Sequence, residues 1–180
     1  SGVVDGDLMV AIIHAINNSG VVTISPPAGW TSILTTDSGG GGGRSHIYSY
    51  YRVASGEGSS YSFSSTGGTP SAWGGSILRI TDFNVSTPIL TSAGAGTNSA
   101  STASLTFSDS VTPTNGYQLI LFPTMVATTS GTGSPTISAQ AVATSNPTWT
   151  ELYDNAGIVG NGMSLAYATR DQSTATGTSS

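Results

Sequence analysis

Read for the order of apolar and polar positions, the chain is a succession of short extended segments. Leu8-Met9-Val10-Ala11-Ile12-Ile13-His14-Ala15-Ile16 is apolar on both faces, as the central strand of a sandwich would be, and Asn17-Asn18-Ser19-Gly20 supplies its terminating turn. Val21 to Ile24 predicts a short extended piece, Trp30 to Thr35 a strand, and Ser45 to Ser55 another. In the last of these His46, Tyr48 and Tyr50 alternate with Ile47, Ser49 and Tyr51, so aromatic side chains fall on both faces. Ser60-Tyr61-Ser62-Phe63-Ser64 has a clean period of two, with Tyr61 and Phe63 on one side. Ala72 to Ile80 follows as a strand in which Gly74-Gly75 marks a bulge or a close crossing. Ala103 to Phe107, Gln118 to Phe122, Thr136 to Ala143, Trp149 to Tyr153 and Ser164 to Thr169 complete the set. No window holds helical spacing for three turns, so the pattern predicts an all-β protein, an antiparallel β-sandwich.

The order of segments occurs twice. A Gly-Asp turn, the run from Leu8, Pro26-Pro27-Ala28-Gly29-Trp30-Thr31, a loop and Ser45 to Ser55 are matched by Asn115-Gly116, Leu119 to Phe122, Asn146-Pro147-Thr148-Trp149-Thr150, a Gly-rich loop and Met163 to Ser173. Asn115 lies 109 positions after Gly6, Trp149 lies 119 after Trp30, and Arg170 lies 118 after Arg52. This predicts one domain over 1–180, built as a pseudo-duplication of half-domains at about 1–90 and 91–180, with Trp30 and Trp149 as a pseudo-symmetric core pair. Set side by side, the halves also predict that edge strands at both ends are lacking or borrowed, from a longer polypeptide or from a neighbouring subunit.

Composition narrows the possible functions. Charged residues make up only 7%, lysine is absent, and the basic residues are Arg44, Arg52, Arg79 and Arg170. With a formal charge of −5, clustered phosphate contacts are out of reach, which argues against nucleic acid as a partner and against anionic membranes. The run from Leu8 to Ile16 is about half the length of a membrane-spanning helix, so no membrane insertion is expected. Without cysteine there are neither disulfides nor thiolate metal sites.

Side chains able to do chemistry are few. His14 reads as a structural, hydrogen-bonded core histidine on the Leu8, Val10, Ile12, Ile16 face, and His46 sits among aromatics after the glycines of Gly39 to Gly43. No Gly-x-Ser-x-Gly elbow is present. Of the acids, Asp37, Glu57, Asp82 and Asp154 read as turn residues, leaving Glu151 as the one placed within a strand. Asp5-Gly6-Asp7 and Asp154-Asn155 offer oxygen ligands for calcium without EF-hand spacing and read as turns. The Gly39 to Gly43 run before Arg44 lacks the Gly-Lys-Ser/Thr of a phosphate loop. No catalytic residue, metal site or cofactor is assigned. Tyr48, Tyr50, Trp73 and Tyr153 are candidate sugar-stacking positions.

Gly6-Asp7-Leu8-Met9-Val10-Ala11, Pro26-Pro27-Ala28-Gly29-Trp30-Thr31, Tyr50-Tyr51-Arg52-Val53-Ala54 and Ile77-Leu78-Arg79-Ile80 before Pro88 together resemble a jelly-roll-like β-sandwich domain of bacteriophage tail and other virion-associated proteins. The likeness extends to Trp149-Thr150-Glu151 and Ala166 to Gln172, and so covers nearly the whole chain. It implies place more than activity and carries no catalytic residues over. The function expected is a non-enzymatic virion surface protein, decorating a capsid or forming part of a tail or fibre. Its partners would be other virion proteins or copies of itself, met through sheet edges and loops. The alternative is a glycan-binding adhesion module of a phage fibre or a secreted bacterial protein; both readings place the protein on a virion surface or outside the cell.

Overall fold

The computed structural model describes residues 2–17, 20–37, 44–70, 72–89, 92, 117–121, 124–126, 150–156 and 163–172. The chain divides into two compact units, Ser1–Ser101 and Thr102–Ser180. The first holds β1 (Leu8–Asn17), β2 (Thr23–Ser25), β3 (Thr31–Asp37), β4 (Arg44–Val53), β5 (Ser64–Thr66) and β6 (Ala72–Ile80). The second holds β7 (Tyr117–Leu121), β8 (Thr124–Val126), β9 (Thr150–Ala156) and β10 (Met163–Gln172). Every regular element among the described residues is a strand and every pairing is antiparallel, the all-β class that the alternation predicts and one consistent with a β-sandwich.

In the first unit the sheet order is β3-β4-β1-β6, so β1 is paired along both edges. All ten of its residues are buried. The double-sided apolar run therefore does what the sequence predicts: a strand with no polar face can only be internal. Met9, Ala11, Ile13 and Ala15 share one face with Tyr48 and Tyr50 of β4, and over this face lie Val22, Ile24, Trp30 and Ala54. Val22 and Ile24 come from the segment around β2, which among the described residues pairs with β5, so a two-stranded layer covers the four-stranded one. Leu8, Val10, Ile12, His14 and Ile16 form the opposite, equally buried face of β1.

Some elements differ from the alternation. The strand expected over Ser60 to Ser64 is displaced: Tyr61 and Phe63 lie in an irregular segment, and β5 begins only at Ser64. Both rings still point inward. Trp30 meets Tyr61 edge-on at 5.4 Å and Phe63 at 5.8 Å, so contact with the tryptophan, not ladder pairing, holds this segment. At Gly74-Gly75 the ladder with β1 runs without interruption, which makes the pair a close approach and not a bulge. A Cβ on Gly75 would stand 2.4 Å from the Ile12 carbonyl oxygen and 2.5 Å from Ile13 Cδ1.

The second unit is organised around β10. Residues 163–165 pair with β8 and residues 168–172 with β7, while β9 pairs with residues 164–169. Since Ser164 and Ala168 each have one partner on either side, β7 and β8 both lie on the edge of β10 opposite β9. Their registers are continuous, with Pro123 falling between them in the sequence, a residue that cannot donate to a ladder. The register of β9 against β10 slips by one at Leu152, as that of β3 against β4 slips by one at Ile33. The segments Ala103 to Phe107 and Thr136 to Ala143, together with Trp149 and Gly39 to Gly43, lie outside the described residues.

Gly75→Val is expected to lower unfolding free energy by about 1–3 kcal/mol through overpacking against backbone that cannot yield. Gly58→Ala, with its nearest neighbour 4.0 Å from the added Cβ, should change it by less than about 0.5 kcal/mol. Urea denaturation of the two variants checks the difference.

Candidate functional site

Polar chemistry in the first unit gathers where β1 begins and β4 ends. Gly6, at φ +91°, turns the chain so that its N–H donates to the Ala54 carbonyl at 2.9 Å, and Ala54 N–H returns a bond to the Asp7 carbonyl at 2.8 Å. The two flanking acids stabilise this turn. Asp5 Oδ1 accepts from Gly56 N–H at 2.7 Å. Asp7 Oδ2 accepts from Val4 N–H at 2.7 Å and from Arg79 Nε at 2.6 Å. The Arg79 hydrogen bond, followed by that from Val4, holds the Asp7 carboxyl below its ordinary value. With a guanidinium already against it, Asp7 serves the turn that Asp5-Gly6-Asp7 predicts. Among the described residues no three His, Cys, Asp or Glu side chains are grouped as a metal site requires.

Beside this turn lies a second network, which explains why the Pro-Gly-Trp and Tyr-Arg-Val segments occur together. Arg52 Nε pairs with Glu57 Oε1 at 2.9 Å, and Arg52 Nη1 donates to the Ala28 carbonyl at 3.2 Å. Gly29, at φ +88°, is what lets the guanidinium lie so close, since a Cβ there would stand 3.2 Å from Nη1. The same turn delivers Trp30 to the core. Glu57 is held on its other side by the Tyr61 hydroxyl, which donates to Oε2 at 2.6 Å, and by Ser55 N–H, which donates to Oε1 at 2.8 Å. Those bonds, the tyrosine's first, push the Glu57 carboxyl down; burial, then the facing carboxylate, pushes the Tyr61 hydroxyl up. This is a chain of groups satisfying one another.

The four candidate stacking positions separate. Tyr48 and Tyr50, only 4% and 5% exposed, are core residues and offer no surface for a sugar. Their hydroxyls donate to the carbonyls of Val22 and, at 2.5 Å, Ile24, tying the two layers together. Burial, with Tyr48 beside it, raises the Tyr50 hydroxyl. Trp73 is different. It lies on β6 at the end of the sheet order and is 42% exposed. Tyr153 is placed on β9 opposite Tyr167 of β10. Of the expected core pair, Trp30 is buried; Trp149 lies outside the described residues.

Both histidines are buried, His14 on one face of the sheet and His46 on the other, where it stacks on Tyr48 at 6.3 Å. His14 is held down to about 4, first by burial and then by the charge of His46. Neither histidine presents a ring to solvent. Glu151 lies on β9 opposite Ala168, and Asp154 lies opposite Ala166.

Because a buried His14 stays neutral while the unfolded side chain takes up a proton below about 6.5, its contribution to stability is complete above that pH. Through His14, stability should fall by on the order of 3 kcal/mol as pH drops from 6.5 to about 4, below which this one contribution levels off. Asp7 and Glu57, both depressed, add losses of the same sign only below their ordinary values of 3.8 and 4.5. Urea unfolding across this range should show the slope, and His14→Gln should flatten it. Separately, Tyr50→Phe should cost about 1–3 kcal/mol by leaving a buried carbonyl without its donor, measurable in the same assay. In comparisons with protein-family models, curated proteins and solved structures, nothing matches this chain.

Proposed function

We propose that this chain is a non-enzymatic, structural protein of a virion surface, a capsid decoration or a tail or fibre component, that assembles through sheet edges and loops. The observation that carries this reading is the use made of polar side chains. Asp5, Asp7, Arg52, Glu57, Tyr48, Tyr50 and Arg79 all bind backbone or one another across the fold, and both histidines are buried. Such groups fix a shape. The virion placement rests on the resemblance of the Gly-Asp, Pro-Gly-Trp and Tyr-Arg-Val-Ala segments to phage tail and virion domains.

The same proposal includes an internally duplicated, jelly-roll-like sandwich. Its support is register. Met9 faces Arg52 in the first unit as Leu119 faces Arg170 in the second, and Thr31 faces Tyr51 as Thr150 faces Thr169. The one-residue slips fall at Ile33 and Leu152, which stand three positions after Trp30 and Trp149. Under this equivalence β7 with β8 replaces β1, β9 replaces β3 and β10 replaces β4.

A glycan-binding adhesion module is the second reading, favoured by one observation, the exposed ring of Trp73. Antibody raised against the purified chain, applied to intact particles in electron microscopy, separates the two. Label at regular positions on particles supports the structural reading. Purified particles from which mass spectrometry recovers none of this chain overturn it, and a glycan-array signal lost in Trp73→Ala supports the module.

A further inference from the structure

β6 ends the sheet of the first unit, and among the described residues its outer edge has no strand beside it. Exposure alternates along it. Trp73, Gly75, Ile77 and Arg79 are exposed on one face, while Gly74, Ser76, Leu78 and Ile80 are half-buried on the other. Trp73 is 42% exposed and Ile77 37%, on the face where their β1 partners Ala15 and Ala11 are fully buried. A nine-residue edge without proline or lysine, carrying an uncovered tryptophan and isoleucine, is a template for another strand.

We propose that β6 pairs antiparallel with β6 of a second copy of this chain, about a two-fold axis through Ser76, so that the two four-stranded sheets become one. The inference rests on the assembly reading above and names its edge, partner and register. Its basis is the self-complementarity of Trp73-Gly74-Gly75-Ser76-Ile77-Leu78-Arg79. Folded back on itself at Ser76, this segment sets every large residue against a small one or an opposite kind. Ile77 faces Gly75 and Leu78 faces Gly74, so each aliphatic chain enters a gap that the partner leaves open. Trp73 faces Arg79, the pairing in which a guanidinium stacks on an indole. Arg79 is already oriented: Asp7 holds its Nε at 2.6 Å while the side chain remains 41% exposed, so little freedom is lost on stacking. The contact is the same patch on both copies, as a closed two-fold dimer requires. Moving the axis by one residue would set Gly75 against Gly75 and Trp73 against Ile77, or Ile77 against Ile77, and the match of large residues to gaps is lost at those positions.

Directly opposed residues in antiparallel strands have Cα atoms about 4.5–5.5 Å apart, within the range a disulfide spans. Ser76 is the one position of β6 that would face itself. In a chain without cysteine, Ser76→Cys is therefore a clean reporter. Under mild oxidation it should form a covalent dimer at least ~10-fold faster than Leu78→Cys, whose two thiols would stand four residues, or about 14 Å, apart. Exposed Ser60→Cys is a second control should the Leu78 variant fail to fold. The unmodified chain should weigh twice 18.0 kDa in light scattering at high concentration, and Ile77→Lys should weaken its dimer at least ~10-fold with an unchanged circular dichroism spectrum. An oligomer in which Ser76→Cys cross-links no faster than the controls overturns β6 pairing and leaves assembly through other surfaces standing. A monomer at hundreds of micromolar with no cross-link overturns both. Glycan binding by a monomer, abolished by Trp73→Ala, overturns the dimer and assigns the exposed ring to a ligand.

Discussion

A strand that shows water none of its side chains makes a demand on everything around it. β1 buries ten consecutive residues, so its N–H and C=O groups have no solvent to fall back on and must be paired along both edges. β4 and β6 meet that demand on either side, in registers that run the length of the strand. Gly75 lets β6 approach, because any side chain there would collide with the backbone it pairs with. The rest of the first unit can be understood as what is needed to keep that strand dry.

On the face toward β2 this is done with tyrosine. Tyr48 and Tyr50 bring large rings beside the small Ala11 and the branched Ile13, and their hydroxyls end on carbonyls of the covering layer. An aliphatic residue would fill the same space without fixing how the layers lie on one another. At the end of the core, Arg52 performs the corresponding task by linking the turn before Trp30 to Glu57 and, through it, to Tyr61. A short sequence motif with glycine, proline and tryptophan thus acquires a physical meaning: it positions one ring, and the arginine twenty-odd residues later clamps the turn that does so.

This also explains how much could be seen in the sequence. β1 was legible because burial on both faces leaves a continuous apolar run, and β6 was legible as a strand, although the sequence left Gly74-Gly75 open between a bulge and a close approach, which only the unbroken ladder to β1 decides. Which aromatics face inward was not legible in β4. Alternation says that Tyr48 and Tyr50 share a face and Tyr51 takes the other, but it does not say which face another layer covers. Tyr61 and Phe63 illustrate the reverse: their inward direction was readable, yet the strand was not, because ring packing on Trp30 and ladder pairing write the same period into a sequence. The salt-bridged turns were hidden for a different reason. Asp7 with Arg79 and Arg52 with Glu57 are joined by the fold, and no spacing rule connects Asp7 to a residue on β6.

The edges follow from the same composition that makes the chain unusual. Soluble β-proteins commonly guard an open edge with lysine, proline or a bulge, and this chain has no lysine, while β6 has no proline and an unbroken ladder to β1. Its one charge, Arg79, is paired with Asp7, so less of that charge opposes an approaching strand. With Asp5, Asp7, Arg52, Glu57 and Arg79 engaged at turns of the first unit, no free charge among the described residues of β6 guards its outer edge, and the alternation of glycine with bulky residues along β6 favours a partner of the same sequence over an arbitrary one.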